Sequence, residues 1–528
     1  MPDRVHDHLG STLSEDPQLL KSLGRRLRSG RLDLLVGAGV SQASGFPSWN
    51  QLTGSLLVSF LRRRYGGLDL NEPELKRASE IFVESFGREA VVDAVHLETG
   101  RDYLELLRRA LYPNDPFDLS TVHWELSALV GAMRRRRSQV RVYTFNFDAL
   151  LESAIERLTK LGCSSVPGPG RIRGGVAVVH LHGMLGATGR ARGTLVLSER
   201  DYHATNDAWA LKTLSDLFGD PQRAILMVGL SLSDSRLRRV LLDRVRRLRN
   251  GEPAAEVYAI LSKGAVQPET ELVERLSRSF VRGHERAFWK SWEIRVLDAP
   301  SHDLVPSLLR RMRLGSDPRA WVRRSTHFLT SRSANYRALF QKQQQRFATE
   351  YLGRALDSLR RRFMVERAEM LTLGGFVPFP PATLRLAFHY RGNRRDDRVT
   401  SRISKARQLN VGDIARPEGA AGSAFISGAT VEGVRGKPRN NIDLNFTRAK
   451  KAQWSQEQGF RGLLCVPVFD SIDWVPIGVV YLTSSRRSPF WIELSPQDYD
   501  GLQTGLRNIY RGVLRYESEA SEKSGLGA

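Results

Sequence analysis

The sequence is poor in cysteine and lacks any long apolar run. Its 528 residues contain two cysteines, Cys163 and Cys465, which are far apart along the chain and so suggest no disulfide framework. No window approaches the ~18 uninterrupted apolar residues of a membrane span. The N-terminal segment also lacks the apolar stretch of a secretion signal. These absences predict a cytoplasmic protein with no membrane association.

Acidic residues are also scarce relative to basic ones. The chain has 80 Lys and Arg against 57 Asp and Glu, a formal charge of +23. A basic surface attracts phosphate backbones, so nucleic acid is one candidate partner. However, runs such as Arg134 to Arg137 lie on predicted amphipathic helices. We therefore favour solvated helix faces over a nucleic-acid partner.

Short, continuous apolar runs alternate with amphipathic helical stretches over residues 16–315. The runs are "LDLLV", "VRVYTF", "VAVVHL", "TLVLS", "AILMVGL", "EVYAIL" and "IRVL". Continuous apolarity is typical of strands that are buried on both faces of a parallel sheet. The pattern predicts an α/β domain with a doubly wound parallel sheet, and residues 51–117 predict a helical insertion.

The remaining chain has a different pattern of apolar and polar residues. Residues 316–373 are polar and helical, and we predict a helical linker there. Residues 374–515 contain the strand-like runs "TLRLAFHY", "GLLCVPVFD" and "VPIGVVYLTSS", followed by an amphipathic helix. The last two runs are joined by a short polar turn, as in a hairpin. This pattern predicts a separate C-terminal α+β domain.

Polar residues and glycines follow four of the predicted strands, where ligands bind in parallel sheets. Gly37 and Gly39 would allow the main chain to approach a pyrophosphate. Asn146 and Asp148 follow the second run, and His182 follows the third. Asp148 could instead cap a helix. Gly229 lies near the end of the fifth run, and Ser231 and Asp234 follow it. The convergence of these groups predicts one ligand-binding crevice.

The segments "GAGVSQASGFP", "TFNFD", "LHG", "LVLSERDY" and "VGLSLSD" occur in this order. Together they resemble the sirtuin-like, NAD-consuming domains of bacterial effectors. The resemblance implies a Rossmann-like sheet that binds NAD, with His182 as a base and with Asn146 and Asp148 at the nicotinamide ribose. The implied NAD-binding residues are Gly37, Ala38, Gly39, Val40, Ser41, Phe46, Pro47, Trp49, Gly183, Gly229, Ser231 and Asp234.

Two departures from the sirtuin deacylases separate this chain from them. Deacylases carry a zinc ribbon of four cysteines, which two cysteines cannot build. Their signature continues Pro-Asp-Phe-Arg, whereas this chain continues Pro-Ser-Trp-Asn from Pro47. Both favour attack of water on NAD, and hence a metal-free NAD+ glycohydrolase. The alternatives are a non-catalytic nucleic-acid binder regulated by NAD or ADP-ribose, and a zinc-free deacylase or ADP-ribosyltransferase.

The C-terminal segments "GDIARPEGAAGSAFISG" and "FRGLLCVPVFDSIDWVPIGVVYLTSS" resemble a GAF domain. This resemblance implies a sensor that gates the enzyme, with a small-molecule or phage-derived activator as its ligand. An enzyme that depletes NAD on a trigger would serve anti-phage defence. The resemblance also implies assembly into a homo-oligomer, whereas the basic loop at 391–445 carries no clear ligand code.

Overall fold

The computed structural model describes most of the chain. The described residues are 17–65, 72–113, 119–169, 175–188, 190–198, 200–201, 207–232, 234–262, 287–299, 302–315, 318–333, 336, 342–366, 369–391, 408–411, 418–434, 461–470, 474–486 and 488–514. Most of the segment predicted as a basic loop at 391–445 therefore lies outside them. Its described part is not a loop, because it contains a helix (Gly419–Ser427) and two strands (Gln408–Asn410 and Val431–Val434). Contacts between Cα atoms divide the chain between Val305 and Pro306 into an N-terminal and a C-terminal unit. The domain boundaries at residues 315 and 373 stay predictions.

The N-terminal unit is built on a seven-stranded parallel sheet. Its strands are β1 (Leu32–Val36), β2 (Val140–Thr144), β3 (Cys163–Val166), β4 (Val176–His180), β5 (Ala224–Val228), β6 (Glu256–Ser262) and β7 (Ile294–Ala299). They lie in the order β3-β4-β2-β1-β5-β6-β7, and all pairs are parallel. Every residue of β1, β4 and β5 is buried. The prediction of a doubly wound, Rossmann-like α/β fold is thereby confirmed.

Helices cover the sheet and form the insertion. They are α1 (Pro17–Arg28), α2 (Gly39–Gln42), α3 (Trp49–Arg64), α4 (Glu72–Phe86), α5 (Arg88–Thr99), α6 (Tyr103–Leu111), α7 (Thr121–Arg134), α8 (Leu150–Thr159), α9 (Asp207–Gly219) and α10 (Ser235–Arg249). Helices α3 to α6 follow β1 and pack around a core that includes Leu56 and Leu107, to which Leu185 and Leu197 after β4 also contribute. The helical insertion therefore precedes β2, the strand that leads into the candidate site.

In the N-terminal unit, one predicted strand is wrong, and one described strand was not predicted. The run "TLVLS" at residues 194–198 is not a strand, although Val196 and Leu197 are buried. Its main chain is instead held by local groups: the Val196 N–H donates to the His182 carbonyl, and the Leu197 N–H donates to the Asp201 carboxylate. Burial without a neighbouring strand explains why apolarity alone misled the prediction. The unpredicted strand is β3, a half-buried strand at the sheet edge.

The C-terminal unit contains a six-stranded antiparallel sheet. Its strands are β8 (Leu371–Phe379), β9 (Thr383–Arg391), β10 (Gln408–Asn410), β11 (Val431–Val434), β12 (Gly462–Phe469) and β13 (Pro476–Ser484), in the order β10-β9-β8-β13-β12-β11. Its helices are α11 (Val305–Leu314), α12 (Pro318–Arg332), α13 (Lys342–Arg362), α14 (Gly419–Ser427) and α15 (Pro496–Leu514).

Side chains on β12 and β13 alternate between two cores. Leu464 and Leu482 pack with α13 and α15 on one face, whereas Cys465 and Tyr481 pack with α14 on the other. Both faces of this sheet are therefore covered, and Cys465 is a buried core residue. The GAF likeness of this unit stays a prediction. Within the described part of the chain, no helix has the length and apolarity needed to cross a membrane.

Candidate functional site

The adjacent strands β2 and β4 bring the predicted catalytic residues to one edge of the sheet. Thr144 and His180 are partners in the parallel ladder. Asn146 and His182 each follow two residues later, so both lie beyond the same ends. The rings of Phe145 and His182 are 4.8 Å apart between centroids. The structure therefore places the amide and the imidazole in one neighbourhood.

A buried hydrogen-bond relay fixes the Asn146 side chain. Asn146 Nδ2 donates to Ser41 Oγ at 2.9 Å, and Ser41 Oγ donates to Asp148 Oδ2 at 2.8 Å. An ionised carboxylate only accepts hydrogen bonds, so the hydroxyl proton of Ser41 points to Asp148 and its oxygen accepts from an N–H. The relay thereby determines which end of the amide faces Ser41. Asp148 also accepts from the Leu150 N–H at 3.0 Å, which holds it at the start of α8.

Burial raises the pKa of Asp148, while the hydrogen bonds from Leu150 and Ser41 act in the opposite direction. The resemblance placed Asp148 and Ser41 against NAD. In the structure, both side chains are buried and hydrogen-bonded to each other. Their roles in contacting NAD stay predictions, and the relay provides each of them with a positioning role.

The other end of the amide has no partner. Asn146 is 8% exposed, and its Oδ1 is buried without a hydrogen-bond partner among the described residues. An unsatisfied buried acceptor costs about 1–3 kcal/mol, and most such groups in folded proteins are paired with protein or ordered water. Because the relay holds Nδ2 on Ser41, Oδ1 is the atom that is left to receive a donor from a ligand or from water.

The His182 ring lies near the rings of Phe145 and Phe147 and beside the Asp234 carboxylate. Its Nε2 is 3.0 Å from Asp234 Oδ2, and the ring of Phe147 is 6.4 Å away between centroids. Asp234 Oδ1 accepts from the Leu237 N–H at 2.7 Å, so the same carboxylate caps α10. A fixed carboxylate beside an imidazole orients the ring.

The resemblance assigned Asp234 to NAD binding, and sequence reasoning missed its contact with His182. Strands β4 and β5, which precede these residues, are separated in the sheet by β2 and β1. Spacing along the chain therefore contains no signal for the pair. The one usable signal is that Asp234 precedes a helix, where a capping carboxylate is fixed in position.

Close packing of two loops explains the glycines that follow β1. The Gly37 N–H donates to the Val228 carbonyl and the Gly39 N–H to the Gly229 carbonyl, both at 2.9 Å. A Cβ on Gly37 would lie 2.5 Å from Gly229 O, and a Cβ on Gly39 would lie 2.9 Å from Gly229 Cα. Gly229 itself has a φ of +67°. These glycines let the ends of β1 and β5 touch, and their N–H groups are used in that contact.

The remaining predicted NAD-binding residues vary in their surroundings. Val40 and Phe46 are buried, and the Phe46 ring packs edge-on against Tyr112 at 5.1 Å. Ala38 and Ser231 are exposed, Pro47 and Trp49 are half-buried, and Gly183 is buried. Their contacts with NAD stay predictions. Within the described residues, no group of three or more His, Cys, Asp or Glu side chains could hold a metal ion.

A comparison with known families matches part of the N-terminal unit. Residues 140–297 match the family model of the SIR2-like domain, a segment that includes Asn146, His182 and Asp234. This match indicates NAD-dependent chemistry in general terms. No curated protein has significant sequence similarity to the chain.

Two solved structures are similar to parts of the chain. A Sir2 homolog in complex with NAD is 16% identical, covers 58% of this chain and 97% of its own, and has a TM-score of 0.27. A type II free methionine-R-sulfoxide reductase from Thermoplasma acidophilum is 14% identical, covers 32% of this chain and 97% of its own, and has a TM-score of 0.21.

Proposed function

We propose that the chain is a NAD+ glycohydrolase, which uses water to cleave NAD+ into nicotinamide and ADP-ribose. The observation that carries the proposal is the buried, unpartnered Oδ1 of Asn146, in the neighbourhood of an imidazole that lies beside a carboxylate. The match of residues 140–297 to the SIR2-like domain supports NAD as the substrate.

Asn146 would position the reacting sugar. Its Nδ2 is committed to Ser41, so Oδ1 would accept a hydrogen bond from a nicotinamide-ribose hydroxyl or from the attacking water. The amide carries no charge, so it would orient the sugar without trapping the oxocarbenium-like cation that forms as the glycosidic bond breaks. Positioning of this kind contributes a large part of the rate of an enzyme-bound reaction.

His182 would act as the base. The bond between the ribose and nicotinamide breaks, and its electron pair leaves with neutral nicotinamide. Water then adds to the anomeric carbon, and its proton passes to the imidazole. Asp234, 3.0 Å from Nε2, would stabilise the imidazolium until the proton is released to solvent. The sum is NAD+ and water giving nicotinamide, ADP-ribose and one proton.

Regulation by the C-terminal unit is part of the proposal. An enzyme that hydrolysed NAD without control would deplete the cell that makes it, so a gate is required. The C-terminal unit has two cores of its own, as a separate sensor needs. We propose that a small-molecule or phage-derived activator binds this GAF-like unit, that the active form is a homo-oligomer, and that the trigger is phage infection.

The test is nicotinamide release from NAD by the purified full-length chain, with and without extract of infected cells. We expect a weak basal rate that the extract raises. Asn146→Ala and His182→Ala should fold and release nicotinamide at least ~100-fold more slowly. Asn250→Ala is the matched control, because Asn250 is an exposed residue at the end of α10.

Undiminished turnover in either variant would contradict the assignment of the site. Salt-dependent DNA binding without nicotinamide release would instead favour the nucleic-acid binder. Transfer of ADP-ribose to a peptide, or NAD-dependent loss of its acyl group, would favour a transferase or a deacylase.

A further inference from the structure

A second buried histidine lies directly beneath the candidate site. His180 is the last residue of β4 and is fully buried. Its Nδ1 donates to the main-chain carbonyl of Asn146 at 2.8 Å, and its Nε2 lies 2.7 Å from Glu152 Oε1 on α8. The ring therefore connects the site residue Asn146 to a helix on the sheet.

The partners of His180 define its protonation state. A carbonyl oxygen only accepts, so Nδ1 must carry a proton. A carboxylate also accepts, so Nε2 must carry one as well, and the ring is an imidazolium. Burial acts to lower the pKa of His180, but the hydrogen bond and charge of Glu152 outweigh it and raise the pKa above its ordinary value.

The groups around the ring are few and identifiable. Glu152 Oε1 also accepts from Ser165 Oγ on β3 at 2.8 Å. Asp148, between β2 and α8, is the second carboxylate that acts on His180. Cys163 on β3 is a further titratable neighbour of Glu152, and burial raises its pKa to about 12, so it stays neutral. The charge of His180 is thus balanced by carboxylates from α8 and its preceding loop.

We propose that His180 and Glu152 form a positioning pair, in which the doubly protonated ring holds the Asn146 main chain and thereby aims Oδ1 at the substrate. The inference rests on the proposed NAD+ glycohydrolase function. A neutral ring has only one N–H, so it must abandon either the Asn146 carbonyl or Glu152. Turnover should therefore decline at alkaline pH as His180 loses its proton.

The folded-state pKa of His180 lies above its value in the unfolded chain. The stability that the pair contributes is therefore complete below about pH 6.5 and is lost as the pH rises through the folded-state pKa. The same proton thus controls the position of Asn146 and part of the stability of the unit.

The experiment is the pH profile of kcat for nicotinamide release between about pH 5.5 and 9.5. Glu152→Gln keeps the shape of the side chain and removes its charge, so it should move the alkaline limb towards acid by about one pH unit or more. His180→Gln should abolish the alkaline limb and leave a lower, flatter rate. Glu156→Gln is the matched control, because Glu156 lies on the same helix and accepts an exposed hydrogen bond from the main-chain N–H of Cys163. It should follow the wild type.

The outcomes separate this inference from the proposed function. An active wild type with a Glu152→Gln profile that is unchanged, or lowered equally at every pH, overturns the positioning pair and leaves the glycohydrolase intact. If Glu152→Gln does not fold, a His180→Gln variant that keeps the wild-type alkaline limb overturns it equally. A wild type that releases no nicotinamide at any pH, with or without infected-cell extract, overturns both.

Discussion

Replacing Ser41 with alanine removes the centre of the relay without touching the unpartnered atom of Asn146. Two buried hydrogen bonds are lost, one from Asn146 Nδ2 and one to the Asp148 carboxylate. A bond to a charged group contributes ~1.5–3 kcal/mol and a neutral one ~0.5–1.5 kcal/mol. Ser41→Ala should therefore lower the free energy of unfolding by about 2–4.5 kcal/mol. It should also lower nicotinamide release about 10- to 100-fold, because the amide is free to rotate.

Two measurements separate these effects. Urea unfolding followed by circular dichroism gives the loss of stability, and nicotinamide release at 20 °C, where the variant is still folded, gives the loss of rate. Ser29→Ala is the control, since the exposed Ser29 hydroxyl only donates to the Arg26 carbonyl. If Ser41→Ala matches the wild type in both stability and rate, then the relay does not hold Asn146 and the reasoning is wrong.

Three further predictions test other parts of the unit. Asp234→Asn should keep the helix cap but remove the charge beside His182. Nicotinamide release should therefore fall about 10- to 100-fold while the melting temperature hardly changes. A parallel loss of turnover and of melting temperature would mean that Asp234 is only a cap. Gly229→Ala should destabilise more than Gly251→Ala in urea unfolding. Both glycines have positive φ, which costs a non-glycine residue about 1–2 kcal/mol. A Cβ on Gly229 would also lie 2.6 Å from a main-chain nitrogen, whereas a Cβ on Gly251 would meet nothing within 4 Å. Equal losses of unfolding free energy in the two variants would contradict the close packing. Burial lowers the pKa of His123 to about 4, below its value in the unfolded chain. The stability that the neutral ring contributes is therefore complete above about pH 6.5, and it falls by about 1.4 kcal/mol per pH unit as the pH drops towards 4. His123→Gln should make unfolding less sensitive to acid in this range, and an unchanged pH dependence would count against that assignment.

The position of the candidate site could be predicted from the sequence because parallel strands present their carboxyl ends at one edge. Asn146 and His182 follow two apolar runs that are buried on both faces, and the structure pairs those runs in one ladder. Nothing more than strand identity was needed to bring the two side chains together. The internal contacts of the site are a different matter.

The relay and the two histidine–carboxylate pairs depend on register and on the order of strands in the sheet. Ser41 on α2, which follows β1, reaches Asp148, which follows β2. Asp234 reaches His182 although two strands lie between β4 and β5. The residues next to each of these side chains in the sequence do not indicate which side chains on other elements they contact. The sequence does not distinguish His180 from a structural core histidine, and its contact with the Asn146 carbonyl is what indicates a further role.

The glycines after β1 illustrate how a correct motif can have a second cause. Sequence reasoning explained Gly37 and Gly39 by the approach of a phosphate. The structure adds a requirement that is independent of any ligand, because both would collide with the Gly229 main chain if they carried a Cβ. That requirement is invisible until β1 and β5 are known to be neighbours.

The most direct test of the central claim is a crystal structure of the full-length chain with a NAD analogue whose nicotinamide ribose is carbocyclic and cannot be hydrolysed. We expect Asn146 Oδ1 to accept a hydrogen bond, at about 3.2 Å or less, from a hydroxyl of that ring or from a water beside it, with the His182 imidazole facing the same carbon. An analogue bound elsewhere in the chain, or a bound analogue that leaves Oδ1 without a donor, would contradict the account.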